Sequence, residues 1–104
     1  MGVLRLHCWV RGSDVGRSFQ VKISETETVA DFKEAIKKQA FPDAAAYALD
    51  LYKPRDPVPR PYEENLSGII LSQHAELLKM GDDELSEVFP APPPKRHIHV
   101  IVGM

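Results

Sequence analysis

The sequence has a single cysteine, no long apolar run and no excess of basic residues. Cys8 alone cannot form an internal disulfide framework, so the chain either works in a reducing compartment or is indifferent to redox conditions. Its apolar runs are far too short to span a bilayer. The 13 basic and 15 acidic side chains give a net charge of −2, which argues against a broad cationic surface for nucleic acid. We therefore expect no membrane span and no nucleic-acid partner.

Two further signals are missing from this sequence. Its glycines, including Gly12, Gly16 and Gly103, form no phosphate-cradling pattern. The amino terminus enters a strand-like pattern without an apolar h-region or a cleavage site. Either the chain is intracellular, or it leaves the cell by a route that uses no signal peptide.

The apolar residues that are present, 43% of the chain, are enough for an ordinary core in 104 residues. We predict one domain over residues 1–104. Alternation of apolar and polar residues over Val3–Val10 predicts a strand, and Phe19, Val21 and Ile23 continue the pattern in a second strand. The turn residues between them predict a hairpin.

A helix is predicted next, capped by Thr28, apolar at Val29, Phe32 and Ile36, and ended by Pro42. A third strand is expected at approximately Ala48–Lys53. Four prolines then stop regular structure and predict a long irregular insertion at about residues 54–80, with at most a short strand or helical turn around Ile69–Leu71. Residues 82–89 predict one or two helical turns.

The closing segment His97–Val102 favours a strand, because most of its residues are β-branched or aromatic. Apolar residues on both of its faces predict a central strand, parallel to Val3–Val10 after a right-handed crossover. The fold class predicted from this order is α+β: a ubiquitin-like β-grasp, with a mixed sheet of four to five strands and one main helix on one face.

Five segments of the sequence together resemble the amino-terminal domain of Crinkler-type effector proteins. They are Leu6-His7-Cys8-Trp9-Val10-Arg11-Gly12, Thr28-Val29-Ala30-Asp31-Phe32-Lys33-Glu34-Ala35-Ile36-Lys37, Leu49-Asp50-Leu51-Tyr52-Lys53, Glu84-Leu85-Ser86-Glu87-Val88-Phe89-Pro90 and Pro92-Pro93-Pro94-Lys95-Arg96-His97-Ile98-His99-Val100-Ile101-Val102. The resemblance covers nearly the whole chain.

The resemblance implies a ubiquitin-like amino-terminal domain that precedes variable effector domains and is associated with secretion or translocation into a host cell, including its nucleus. Oomycete members carry a Leu-Phe-Leu-Ala-Lys translocation motif at the third strand. Its counterpart here is Leu49, Leu51, Tyr52 and Lys53, which is closer to the fungal form. The alternative is an intracellular ubiquitin-like adaptor with no effector role.

The candidate protein-binding residues lie on the predicted sheet face away from the helix. His7 and Trp9 on the first strand, with His99 and Ile101 on the last, would form an exposed aromatic patch, while Ile98, Val100 and Val102 point inward. The alternative is that residues 54–76 fold over this face and bury Trp9 in a second small core. The partner is expected to be a protein, bound by a monomer or weak dimer.

Other chemistry is disfavoured by the sequence. Cys8 could act as a nucleophile with His7 or His99 as base, but it shares an apolar strand face, which favours a buried thiol. His7, His97 and His99 could bind a metal, although no acidic or thiol ligand has matching spacing. Residues 54–61 could form a proline-rich ligand for another domain. We expect no catalytic residue, cofactor or metal, and thus no enzyme.

Overall fold

The computed structural model describes residues 2–12, 15–43, 45, 48–91 and 93–103. Seven strands, four α-helices and one 3-10 turn occur in this part of the chain. In chain order they are β1 (Val3–Val10), the 3-10 turn (Val15–Arg17), β2 (Phe19–Ser24), α1 (Val29–Ala40), β3 (Asp50–Pro54), β4 (Val58–Pro59), α2 (Tyr62–Ser67), α3 (Leu71–His74), β5 (Ala75–Leu77), α4 (Leu85–Val88), β6 (His97–Ile98) and β7 (Val100–Gly103).

The amino-terminal hairpin and α1 follow the sequence prediction. β1 and β2 pair antiparallel, and the residues of β1 that face α1 are buried. Thr28 caps α1, since its hydroxyl accepts from the Asp31 N–H while the Asp31 carboxylate accepts from the Thr28 N–H. The helix ends at Ala40, where the Phe41 N–H still donates to Lys37 and Pro42 follows. The local rules of capping and periodicity are sufficient for this half of the fold.

The last strand lies in the middle of the sheet, as predicted. The strand order is β2-β1-β7-β3-β5, with β7 parallel to β1 and antiparallel to β3. One face of this sheet packs against α1 and α4 in a core that includes Phe32, Ile36, Leu85 and Phe89. The fold is therefore a mixed-sheet α+β fold of β-grasp-like topology.

One part of the final-strand prediction is wrong. The segment 97–102 is not one strand, because it breaks at His99 into β6 and β7. The His99 N–H donates to the His7 carbonyl, and the His99 imidazole accepts from the His7 N–H, so a side chain replaces a backbone acceptor at this point of the ladder. β6 pairs instead with β4, and Ile98 faces away from the α1 core.

The segment 54–80 is more regular than predicted. β4, α2, α3 and β5 all lie within it, although none is longer than the six residues of α2. Apolar residues from these elements, among them Val58 and Leu66, face the second side of the large sheet. The part of the segment that contains β4, α2 and α3 therefore forms a cap over the sheet, as the alternative of a second small core predicted, while β5 joins the large sheet itself.

Candidate interaction surfaces

The predicted patch around Trp9 and Ile101 lies beneath this cap. The two residues are neighbours across β1 and β7, and Ile101 is only 1% exposed. Both pack in a second core with Val58, Leu66 and Ile98. The prediction of an exposed patch is thus wrong for Ile101 and His99, which the fold buries, whereas His7 and Trp9 stay partly exposed. The alternative of a second small core is confirmed, with Trp9 packed against it but only partly buried.

His7 and His99 form a hydrogen-bonded seam between β1 and the start of β7. The imidazole Nδ1 of His99 accepts the His7 N–H at 2.9 Å, and its Nε2 contacts the Pro94 carbonyl. An acceptor at Nδ1 and a carbonyl partner at Nε2 fit the neutral ring with its proton on Nε2. His7 Nε2 bonds the Ser18 hydroxyl at 2.8 Å. His99 was expected to be exposed on the sheet face, but it is only 5% exposed and both of its ring nitrogens contact backbone groups.

The surroundings of this seam disfavour protonation of both histidines. Burial lowers the pKa of His99, and the neighbouring rings of His7 and His97 act in the same direction, against the Pro94 carbonyl. The pKa of His7 is also lowered, first by burial and then by the Arg60 guanidinium. The seam therefore favours neutral imidazoles and resists protonation.

The side chains of the third-strand segment Leu49–Lys53 make contacts within the fold. Leu49 and Leu51 are fully buried in the core beside α1. Tyr52 packs on the opposite side, against the second core. The Lys53 ammonium donates to the Val88 carbonyl and lies 5.2 Å from the centre of the Phe89 ring. Each residue of the predicted trafficking counterpart thus has an intramolecular contact.

Cys8 is buried in the α1 core and is unsuited to nucleophilic attack. Its thiol contacts the Leu6 carbonyl at 3.6 Å, and burial raises its pKa far above the ordinary value. The parts of the chain that the structure describes also contain no group of three or more His, Cys, Asp or Glu residues placed to hold a metal ion.

A groove of about 1150 Å³ runs along β5, the last strand of the large sheet. Three large hydrophobic side chains are exposed among the described residues, and two of them line this groove: Ile70 at 52% and Met80 at 60%. The third, Val3, lies at the start of β1. The sequence pattern did not predict this site, since the three residues of β5 are too few to show a period.

Comparison with known proteins now places the chain. Residues 4–103 match the family model described as the Crinkler effector protein N-terminal domain. The chain belongs to this family. No curated protein and no solved structure matches it.

The Crinkler match begins in β1 and ends in β7, so it includes every strand of the large sheet and the cap. Within the described residues of this Crinkler domain, no helix has the length and apolar character needed to cross a membrane. The resemblance seen in the sequence is therefore confirmed at the level of the family.

Proposed function

We propose that this Crinkler domain is the non-enzymatic amino-terminal domain of an effector, that it assists secretion or translocation into a host cell by binding a protein partner, and that it precedes a variable effector domain. The family match over residues 4–103 carries this proposal. The geometry of the reactive side chains is in keeping with binding rather than catalysis. Cys8 is enclosed in the core, and both ring nitrogens of His99 are used by the fold.

Partner contact is best supported at the groove along β5. The face that contains Trp9 and Ile101 is occupied by the cap, and Leu49 and Leu51 are occupied by the α1 core. By contrast, Ile70 and Met80, which line the groove, are each more than half exposed to solvent. A groove along the edge strand of a sheet is a place where another protein chain can dock.

Delivery can be tested with a fusion of this chain to a reporter that becomes active only inside host cells. We expect the fusion to be delivered above the level of the reporter alone. A matched fusion carrying Leu51→Asp, which places a charge in the α1 core, should lose delivery because the domain unfolds. Equal delivery by all three proteins would refute the translocation role.

The second candidate is an intracellular ubiquitin-like adaptor, which the β-grasp-like strand order favours. An adaptor would bind its partner inside the cell that makes it. Fractionation of the producing culture separates the two proposals, because an effector accumulates outside the producing cell. Retention of the full-length protein inside that cell would favour the adaptor.

A further inference from the structure

We propose that the groove along β5 binds an extended peptide segment of the partner protein, which adds to the large sheet as a sixth strand. This inference rests on the proposed function in one respect: that the domain works by binding a protein. It adds the binding mode, the residues that make the contact and the character of the peptide.

On the side of β5 away from β3, Ala75 N–H already donates to Leu71 O, and Leu77 is the residue that keeps both its N–H and its C=O available. Leu78 N–H donates to Leu51 O and Arg55 N–H donates to His74 O, both at 2.8 Å, so residues 74 and 78 direct these backbone groups toward β3. Leu77 lies opposite Tyr52 and is one residue away from Leu78. Successive residues of a strand direct their backbone N–H and C=O to alternate edges of that strand. The N–H and C=O of Leu77 therefore point away from β3, where no further strand of the described residues follows. An open edge of this kind is a template for another strand.

Apolar walls flank this edge on both faces of the sheet. Ile70 immediately precedes α3, next to Ile69 and Leu71 of the second core, and so stands on the cap side. Met80 precedes Gly81, whose carbonyl accepts from Ala30 N–H in α1, and so stands on the helix side. Successive side chains of a strand point to opposite faces. The peptide should therefore carry apolar residues at adjacent positions rather than at alternate ones.

Charge in the groove is balanced. Its cationic side chains are Arg11, Lys53 and Lys79, and its acidic side chains are Glu76, Asp83 and Glu87. Neither sign dominates, so recognition should depend on main-chain hydrogen bonds and the apolar walls. This favours a neutral apolar segment over an acidic or basic motif.

The experiment uses a random 12-residue peptide library displayed on phage and selected on the whole chain. We expect the enriched peptides to share a pair of adjacent apolar residues. A synthetic copy of the most enriched peptide should slow hydrogen exchange of the Leu77 amide. Its binding should weaken by about tenfold or more in each of Ile70→Lys and Met80→Lys. Val3→Lys is the matched control, because Val3 is 57% exposed but lies outside the groove, and binding should be unchanged.

A second variant tests the main-chain contact directly. Leu77→Pro removes the outward N–H, at an edge position where proline is tolerated. We expect it to reduce peptide binding by about tenfold while the circular dichroism spectrum is retained. If this variant does not fold, the two lysine variants still decide the result.

Three outcomes would overturn the inference. The library yields no enriched sequence, or the selected peptide binds Ile70→Lys, Met80→Lys and the unmodified chain equally well. Alternatively, sedimentation shows a dimer that only the two groove variants dissociate, in which case a second copy occupies the groove. Reporter delivery is measured separately on the unmodified chain. Normal delivery without any peptide binding refutes the groove and spares the proposed role in delivery. Peptide binding that the two lysine variants weaken, without delivery, retains the groove and refutes the role in delivery.

Discussion

Acid should weaken this domain through the seam between His7 and His99. In the folded state the Nδ1 of His99 accepts the His7 N–H, so a proton added there would place two donors opposite each other. The pKa of His99 is lowered in the fold, whereas the unfolded chain has the ordinary value near 6.5. A lowered histidine pKa means that the unfolded state binds more protons as the pH falls. Stability is therefore complete above about pH 6.5 and is lost below it.

The magnitude follows from proton linkage. A histidine that takes up its proton only on unfolding changes the free energy of unfolding by about 1.4 kcal/mol per pH unit. Between pH 8 and pH 5 this amounts to at most about 2 kcal/mol for His99. The lowered pKa of His7 contributes with the same sign. Because domains of this size have only about 5–15 kcal/mol of stability, the effect is measurable.

Urea unfolding at several pH values provides the assay, with His99→Asn as the test variant. The asparagine oxygen can accept the His7 N–H but cannot reach the Pro94 carbonyl, so at pH 8 the variant should lose about 1 kcal/mol. It has no imidazole at this position, so its curve against pH should be flatter and cross that of the unmodified chain near pH 5–6. Ile101→Val, a control in the second core, should shift the curve without changing its slope. Parallel curves for His99→Asn and the unmodified chain would refute the proposed protonation mechanism.

Three more predictions concern the two cores and the third strand. Ile101→Ala should lower the free energy of unfolding by about 2–5 kcal/mol in urea titrations, since this side chain is 1% exposed, and a loss below about 1 kcal/mol would contradict its place in the second core. Lys53→Met should cost about 1–2 kcal/mol through loss of the Val88 hydrogen bond and the Phe89 contact, whereas the same change at the exposed Lys79 should cost under about 0.5 kcal/mol. Cys8 should react with iodoacetamide at pH 8 only after urea unfolds the chain, because burial raises the pKa of its thiol, and rapid labelling of the folded protein would show that the site is open.

The sequence was most informative where one local pattern runs through a whole element. Eight alternating residues form β1, and twelve residues with a cap at Thr28 form α1, so both could be predicted with their buried faces. The central position of β7 could also be predicted, since apolar residues on both faces of a strand are typical of a strand in the interior of a sheet. The same elements contain several of the segments that resemble the Crinkler family.

The short elements of the cap and the break at His99 could not be predicted in this way. β4 has two residues and β5 has three, too few to distinguish a period of 2 from one of 3.6. At His99 the imidazole Nδ1, rather than a backbone carbonyl, accepts the His7 N–H, and the strand is interrupted there. Ile98 therefore faces the second core instead of the α1 core that the alternation predicted. The exposure of Ile70 and Met80 depends on which neighbours cover them, and that is decided only by tertiary packing.

The parallel pairing of β1 with β7 has a mechanical consequence. β1 leads in from the amino-terminal side and β7 leads out toward the carboxyl end, so tension applied at both ends pulls these neighbouring strands in opposite directions. Their hydrogen bonds are then loaded together, in shear, rather than opened one at a time. Tension applied across the two ends would therefore meet the strongest resistance at the centre of the sheet, while the hairpin and the β3–β5 pair would separate only once that centre had yielded.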